Sequence, residues 1–170
     1  MTETKKFYGK YRGVVRNNLD LESIGRIQCE VPDVLGYVPT TWAMPCVPVA
    51  GLGCGFYTVP MIGSGVWVEF EKGDLDKPIW VGGWWGTVAE VPKFGLTQAL
   101  PVSPNIAMTT PGQATIVVSD VPAVGIQLQN GRGAMFVMND AGILMTNGKG
   151  STLVMAGKAF TVNEGALLVT

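Results

Sequence analysis

The chain has 170 residues, a formal net charge of −1 and no histidine; it has no overall field to attract nucleic acid or an anionic membrane, and it lacks the commonest general base and metal ligand. Apolar residues make up 47% of it and charged ones 15%, against roughly 25% charged in an ordinary soluble domain. A monomer of this size cannot hide so much apolar surface, and no run of about 18 apolar residues free of turn formers offers a spanning helix, so burial against copies of itself is the account that fits.

The opening MTETKKFYGKYRG has lysines but no apolar run after them, which reads against a secretory signal. Tyr11 to Arg16 is the first strand-like run, and Asn17-Asn18 suits a turn. In GRIQCEVPDVLG, Ile27, Cys29 and Val31 face one way while Arg26, Gln28 and Glu30 face the other, until Pro32-Asp33 stops the strand. Cys29 is therefore expected in a core. With Cys46 and Cys54 it forms an odd set lacking the paired spacing of a zinc site, and all three read as reduced thiols. No helical period is found in this half. The run Gly51-Leu52-Gly53-Cys54-Gly55 lacks the Lys-Ser/Thr of a phosphate loop and reads as a loop of close backbone approach.

The segment IGSGVWVEFEKGDLDKPIWVGGWWG, Ile62 to Gly86, reads as two strands joined by an acidic turn. Val66, Val68 and Phe70 alternate with Trp67, Glu69 and Glu71; Gly73-Asp74 breaks the run; Ile79 and Val81 continue after Pro78, and Gly82-Gly83 ends the pair. Glu69, Glu71, Asp74 and Asp76 are hard oxygen ligands for Ca²⁺ or Mg²⁺ on one reading. On the other, Asp74 caps its own turn and Lys77 offsets the charge, which suits the spacing better. Trp80, Trp84 and Trp85 suggest a stacking platform for bases or sugars, but the nearby charge is mostly acidic, so packing at a junction is the better account. No serine has a recognisable elbow, and no nucleophile has a histidine to activate it.

Charge divides the chain near Phe94, after which only Asp120, Arg132, Asp140, Lys149, Lys158 and Glu164 remain. Residues 88–112 contain Pro92, Pro101, Pro104 and Pro111 without a clear period and read as a linker. Beyond them recur the short strand-like pieces ATIVVSD, GIQLQN, AMFVMND, GILMTN, STLVMAG, AFTVNEG and ALLVT. Turn markers such as Asn130-Gly131 and Asn147-Gly148 separate them at intervals of roughly eight or nine residues, a β-solenoid or β-prism period. In several pieces both faces are largely apolar, as at Met135, Phe136, Val137 and Met138, so cover is needed on both sides; three chains around a common axis would supply it.

Together, IGSGVWVEFEKGDLDKPIWVGGWWG, GRIQCEVPDVLG and WAMPCVP closely resemble the oligonucleotide/oligosaccharide-binding (OB) barrel of contractile-tail spike proteins. That family comprises the phage baseplate assembly protein V group and the related VgrG spikes of type VI secretion. The glycine-punctuated strands ending in VNEGALLVT look like the trimeric β-helix that follows this barrel in phage spikes. The resemblance implies an all-β chain: an N-terminal arm over 1–10, an OB-fold barrel over 11–87, a linker over 88–112, and a β-helix or β-prism over 113–170 intertwined as a homotrimer. It implies a central spike in a virion tail baseplate, or in an injection particle made in the bacterial cytoplasm. That spike would dock on a baseplate hub protein and transiently cross a target cell envelope, with no nucleic acid partner. No catalytic residue, cofactor or metal site is implied, and the linker is too short for the lysozyme domain some spikes carry. Many phage spikes bind iron at an apex His-x-His motif, which a chain without histidine cannot build. A separate PAAR-like tip protein is therefore expected on Leu167, Leu168, Val169 and Thr170. The alternatives are an OB-fold module binding single-stranded nucleic acid or glycan, and a structural spacer that does not pierce.

Overall fold

The computed structural model describes residues 5–93 and 105–169 of the chain, which divides into two compact units, residues 1–88 and 89–170. In the first unit, β1 (Tyr11–Asn17), β2 (Gln28–Glu30), β3 (Met44–Pro45), β6 (Gly65–Phe70) and β7 (Pro78–Trp84) form one sheet in the order β2-β1-β6-β7-β3. A separate hairpin joins β4 (Ala50–Gly51) to β5 (Cys54–Gly55).

Alternation builds this sheet. Val66, Val68 and Phe70 on β6 and Ile27, Cys29 and Val31 around β2 all point into one core with Val15, Ala43 and Trp80. Each is at most 6% exposed, so each fully buried aliphatic side chain contributes roughly 1.5–3 kcal/mol. The sheet curls on itself and is closed by two bridges, Ile27 with Ala43 and Glu30 with Pro39. Ala43 N–H donates to Ile27 O at 2.7 Å and Thr40 N–H to Cys29 O at 2.7 Å. Closure leaves no free edge between β2 and the chain entering β3.

Two details depart from the sequence reading. Pro32, expected only to end a strand, opens a four-residue helix α1 (Pro32–Leu35); a proline at the first helical position sacrifices no hydrogen bond. Gly82-Gly83 does not end β7 either. The ladder shifts register there, pairing Trp67 with Gly82 and Val68 with Trp80, so that Val81 is the extra residue of a bulge. Pro78 and Trp80 point inward as a result, and Ile79 and Val81 are only half-buried.

The second unit is a single eight-stranded antiparallel sheet whose neighbours follow chain order. Its strands are β8 (Ile106–Thr109), β9 (Thr115–Val118), β10 (Ile126–Gln129), β11 (Met135–Asn139), β12 (Gly142–Thr146), β13 (Thr152–Ala156), β14 (Ala159–Val162) and β15 (Leu167–Val169). β8 lies inside the stretch 88–112 that reads as linker. Four residues between Pro104 and Pro111 give too short a run to show a period.

Candidate functional site

Directly opposed residues of an antiparallel pair share a sheet face, so the register fixes what each face of the meander carries. Ile106 and Met108 stand beside Val118 and Ile116, and these beside Ile126 and Leu128. The same face continues through Phe136 and Met138, Ile143 and Met145, Leu153 and Met155, Phe160 and Val162, to Leu167. Every one of these positions is apolar. Most are exposed, from 38% at Ile126 and Leu153 to 69% at Ile106. A contiguous apolar surface on this scale marks an interaction site.

The reverse face is mixed. It carries Thr109, Thr115, Gln127, Gln129, Thr146, Thr152 and Thr161 among Ala107, Val117, Val137, Leu144 and Val154. Val117 is fully buried and Thr115 nearly so, its hydroxyl 3.2 Å from that of Thr109. The expectation that several strands carry two largely apolar faces is met in β11 to β13, where Val137, Leu144 and Val154 back the apolar row, while the threonines and glutamines of the other positions make the reverse face mixed.

The turns are built alike. Asn130 Oδ1 accepts from the amides of Arg132 at 2.9 Å and Ala134 at 3.1 Å; Asn147 Oδ1 does the same for Lys149 at 2.8 Å and Ser151 at 3.1 Å. In the turn from β8 to β9, Thr110 Oγ1 accepts from Ala114 N–H at 3.1 Å. A side-chain oxygen thus closes each loop on its own backbone. The loops also stack. A β-carbon on Gly131 would strike the Gly112 carbonyl oxygen, and one on Gly148 would lie 2.6 Å from the Gly133 carbonyl carbon. Only glycine allows that approach.

The sequence candidates of the first unit are placed as follows. Asp74 Oδ1 accepts from Asp76 N–H at 3.1 Å, while Lys77 N–H donates to Asp74 O and Glu71 N–H to Lys77 O. Glu69 is ion-paired with Lys10 across the sheet. Among the described residues no group of three acidic or thiol side chains is placed to hold a metal ion. The three tryptophans do not form one platform. Trp80 is 6% exposed in the core and donates from Nε1 to Gly25 O at 3.0 Å, so it serves the barrel interior instead of a junction. Trp84 lies on Gly65, donates to Val66 O at 3.1 Å and is covered by the Arg12 guanidinium 5.2 Å from its ring centre. Trp85 alone of the three is well exposed. The Gly51–Gly55 run forms the exposed β4–β5 hairpin. Cys29 is buried, which pushes its thiol up to about 12.

Sequence reasoning did not find the exposed apolar side chains of the first unit's loops. Leu19, Leu21, Leu52, Phe56 and Tyr57 are all more than half exposed. The loop bearing Leu19 and Leu21 is pinned by Asp20, which is 4% exposed and accepts from Arg26 at 2.7 Å and from the amides of Glu22 and Ile24. Asn18 Nδ2 ties the same loop to Pro60 O at 3.0 Å. The charge pattern in DLESIGR hints at an Asp–Arg clasp, but nothing local shows which leucines it leaves outside.

At the far end, β15 is an outer strand of the sheet, paired only with β14 through Leu167, Leu168 and Val169. Leu167 is 55% exposed; Thr170, the last residue of the expected tip contact, lies outside the described residues.

Comparison with known proteins divides the chain the same way. Residues 11–85 match the type VI secretion system/phage-baseplate injector OB domain, and residues 105–168 match the phage baseplate V C-terminal trimerisation domain. No curated protein matches the chain.

Proposed function

This chain belongs to the phage baseplate assembly protein V family, and from that membership we propose that it is the central spike of a contractile tail or contractile injection system. The family gives it a structural, spike-related role in a baseplate, and its C-terminal unit is a trimerisation domain, so its working form is a homotrimer. Piercing of the target envelope is our reading of what such a trimer does. The observation that carries it is the uninterrupted apolar face of the β8–β15 sheet. Three such faces turned inward make a dry prism without lipid or ligand, and stacked, closed turns leave little slack along the axis. That is the build of a rod that transmits force.

The OB barrels would dock on a baseplate hub through exposed apolar residues such as Leu19, Leu21, Leu52 and Phe56. A PAAR-like tip protein would cap Leu167 to Thr170, taking up the outer edge of β15 (Leu167–Val169). Truncation before Leu167 should abolish capture of such a tip while the trimer persists, and capture unchanged by that truncation removes the tip assignment.

Light scattering on a sizing column tests the rod. An early-eluting particle of about 54 kDa, three times 18.1 kDa, that resists mild denaturant for hours is the expected result, because freeing one chain breaks its contacts with two others. A trimer that falls apart within seconds under those conditions could not serve as a piercing element.

A further inference from the structure

The charged side chains of the β8–β15 sheet all stand at turns, and their signs are sorted by edge. Consecutive turns of a meander alternate between its two edges. One edge carries Arg132 (β10–β11), Lys149 (β12–β13) and Glu164 (β14–β15); the other carries Asp120 (β9–β10), Asp140 (β11–β12) and Lys158 (β13–β14). Read along the sheet, the first edge runs plus, plus, minus and the second minus, minus, plus. All six side chains are exposed, and none takes part in an ion pair among the described residues.

We propose that these edges form a charge-matched seam between copies of this chain, the Arg132–Lys149 edge of one protomer lying against the Asp120–Asp140 edge of the next. This rests on the homotrimeric assembly described above and adds how its protomers meet. Three equivalent sheets around a threefold axis, apolar faces inward, must join unlike edges at each corner, since like edges meet only across a twofold axis. Strand spacing then sets the heights. Neighbouring strands lie about 4.8 Å apart, so turns on one edge recur every ~9.6 Å and those of the other edge fall midway. Arg132 therefore stands one step from both Asp120 and Asp140, and Lys149 one step from Asp140. Where the first edge changes sign at Glu164, the second has changed at Lys158. Lys149 beside Lys158 is the single like-charge neighbour in the seam. Steps of ~5 Å lie within the Debye length of about 8 Å at physiological salt.

Within one chain, Lys149 with Glu164 and Asp140 with Lys158 are neighbours about 9.6 Å apart on one edge, but Arg132 and Asp120 have only a like charge as their neighbour there, so pairing within the chain leaves both unexplained. Residues 132 and 140 stand at opposite ends of β11, some 25 Å apart at about 3.3 Å per residue, well beyond screening. Simple solubility does not require the signs to reverse together on both edges.

Reversing each edge in the full-length protein tests the seam. One variant carries Arg132→Glu with Lys149→Glu, a second carries Asp120→Lys with Asp140→Lys, and a third carries all four. Trimer mass is measured by light scattering, and dissociation is followed in urea, which leaves ionic strength unchanged, at low and high NaCl. Each single-edge reversal should speed dissociation roughly tenfold or more in low salt, the contacts being repeated at three corners. The four-fold variant should return to within about threefold of wild type, and high salt should bring all four proteins together. Single-edge reversals that leave dissociation unchanged, or a four-fold variant whose defects simply add, would overturn the seam. Should an edge reversal fail to assemble, Arg132→Gln with Lys149→Gln removes charge without repulsion, and it must still accelerate dissociation if the seam exists. A wild-type protein that is monomeric would instead overturn the trimeric assembly on which the seam rests.

Discussion

Val66 and Val68 on β6 are completely covered, while Ile116 and Val118, in the same alternating pattern on β9, are 42% and 43% exposed. The two units share the rule of one apolar residue in two and differ in what becomes of it. In the barrel the sheet curls and closes on itself through the Ile27–Ala43 and Glu30–Pro39 bridges, so one chain covers its own core. In the meander eight strands follow one another without a second layer, and the apolar row is left for other copies to cover. Charge follows the same division. Arg16 meets Glu30, Arg26 meets Asp20 and Glu22, and Lys10 meets Glu69, all within the first unit. The charges of the β8–β15 sheet have no such partners among the described residues. A fold can be complete in its hydrogen bonds and incomplete in its burial, and that incompleteness is where assembly is encoded.

The contrast is broken most severely by a charge on the open face. Leu128→Asp would place three carboxylates in the trimer interior, where an unpaired ion costs several kcal/mol. We expect the scattering mass to fall from about 54 kDa to that of one 18.1 kDa chain, with the barrel still folded by near-ultraviolet circular dichroism. Persistence of the trimer would show that this face points outward.

The complementary change is Ile27→Ala, in a fully buried position of the barrel. It should cost about 2–5 kcal/mol of barrel stability by leaving a cavity and leave the scattering mass unchanged. Loss of the trimer in this variant would mean that the two units do not stand independently.

A pair of glycines sharpens the comparison further. A β-carbon on Gly148 (φ 69°) would lie 2.6 Å from the Gly133 backbone, while one on Gly36 (φ 61°) would have nothing within 4 Å. Both substitutions carry about 1–3 kcal/mol of strain from a backbone that favours glycine, Gly36 standing at φ 61°, ψ −129°; Gly148→Ala should cost more than Gly36→Ala, because its clash adds to the strain. Thermal unfolding of the two variants measures the difference, and equal shifts would count against the stacked turns.

The smallest effect is a matter of acidity. The Arg26 guanidinium, helped by the amides of Arg26, Glu22 and Ile24, holds the Asp20 carboxyl well below the usual carboxylate range. Its contribution is therefore full above the unfolded value of about 3.9 and is lost as pH falls toward the folded one. Asp20→Asn should lower barrel stability at neutral pH, where the contribution is full, and flatten the acid limb below about pH 4, both read by fluorescence. An unchanged acid limb would assign that limb to other carboxylates.

Much of this was legible from residues alone. Seven runs after Ala114 were expected as strands and are strands, and Ile27, Cys29, Val31, Val66, Val68 and Phe70 were expected inside and are inside. The reason is that alternation and turn chemistry are local: a side chain two residues on shares a face, and Asn-Gly turns the chain wherever it occurs. What the sequence did not reveal is non-local. That Trp80 enters the core while Trp84 lies under Arg12 depends on a bulge, set by how β6 and β7 pair. That Asp20 and Arg26 clasp a loop and leave Leu19 and Leu21 outside depends on how the chain folds back on itself. Local residue patterns alone establish where strands and turns fall and that the apolar surface exceeds what one chain covers. Pairing between strands, set by loop lengths across the whole sheet, gathers this surface on one face of β8–β15 and puts the turn charges on its two edges.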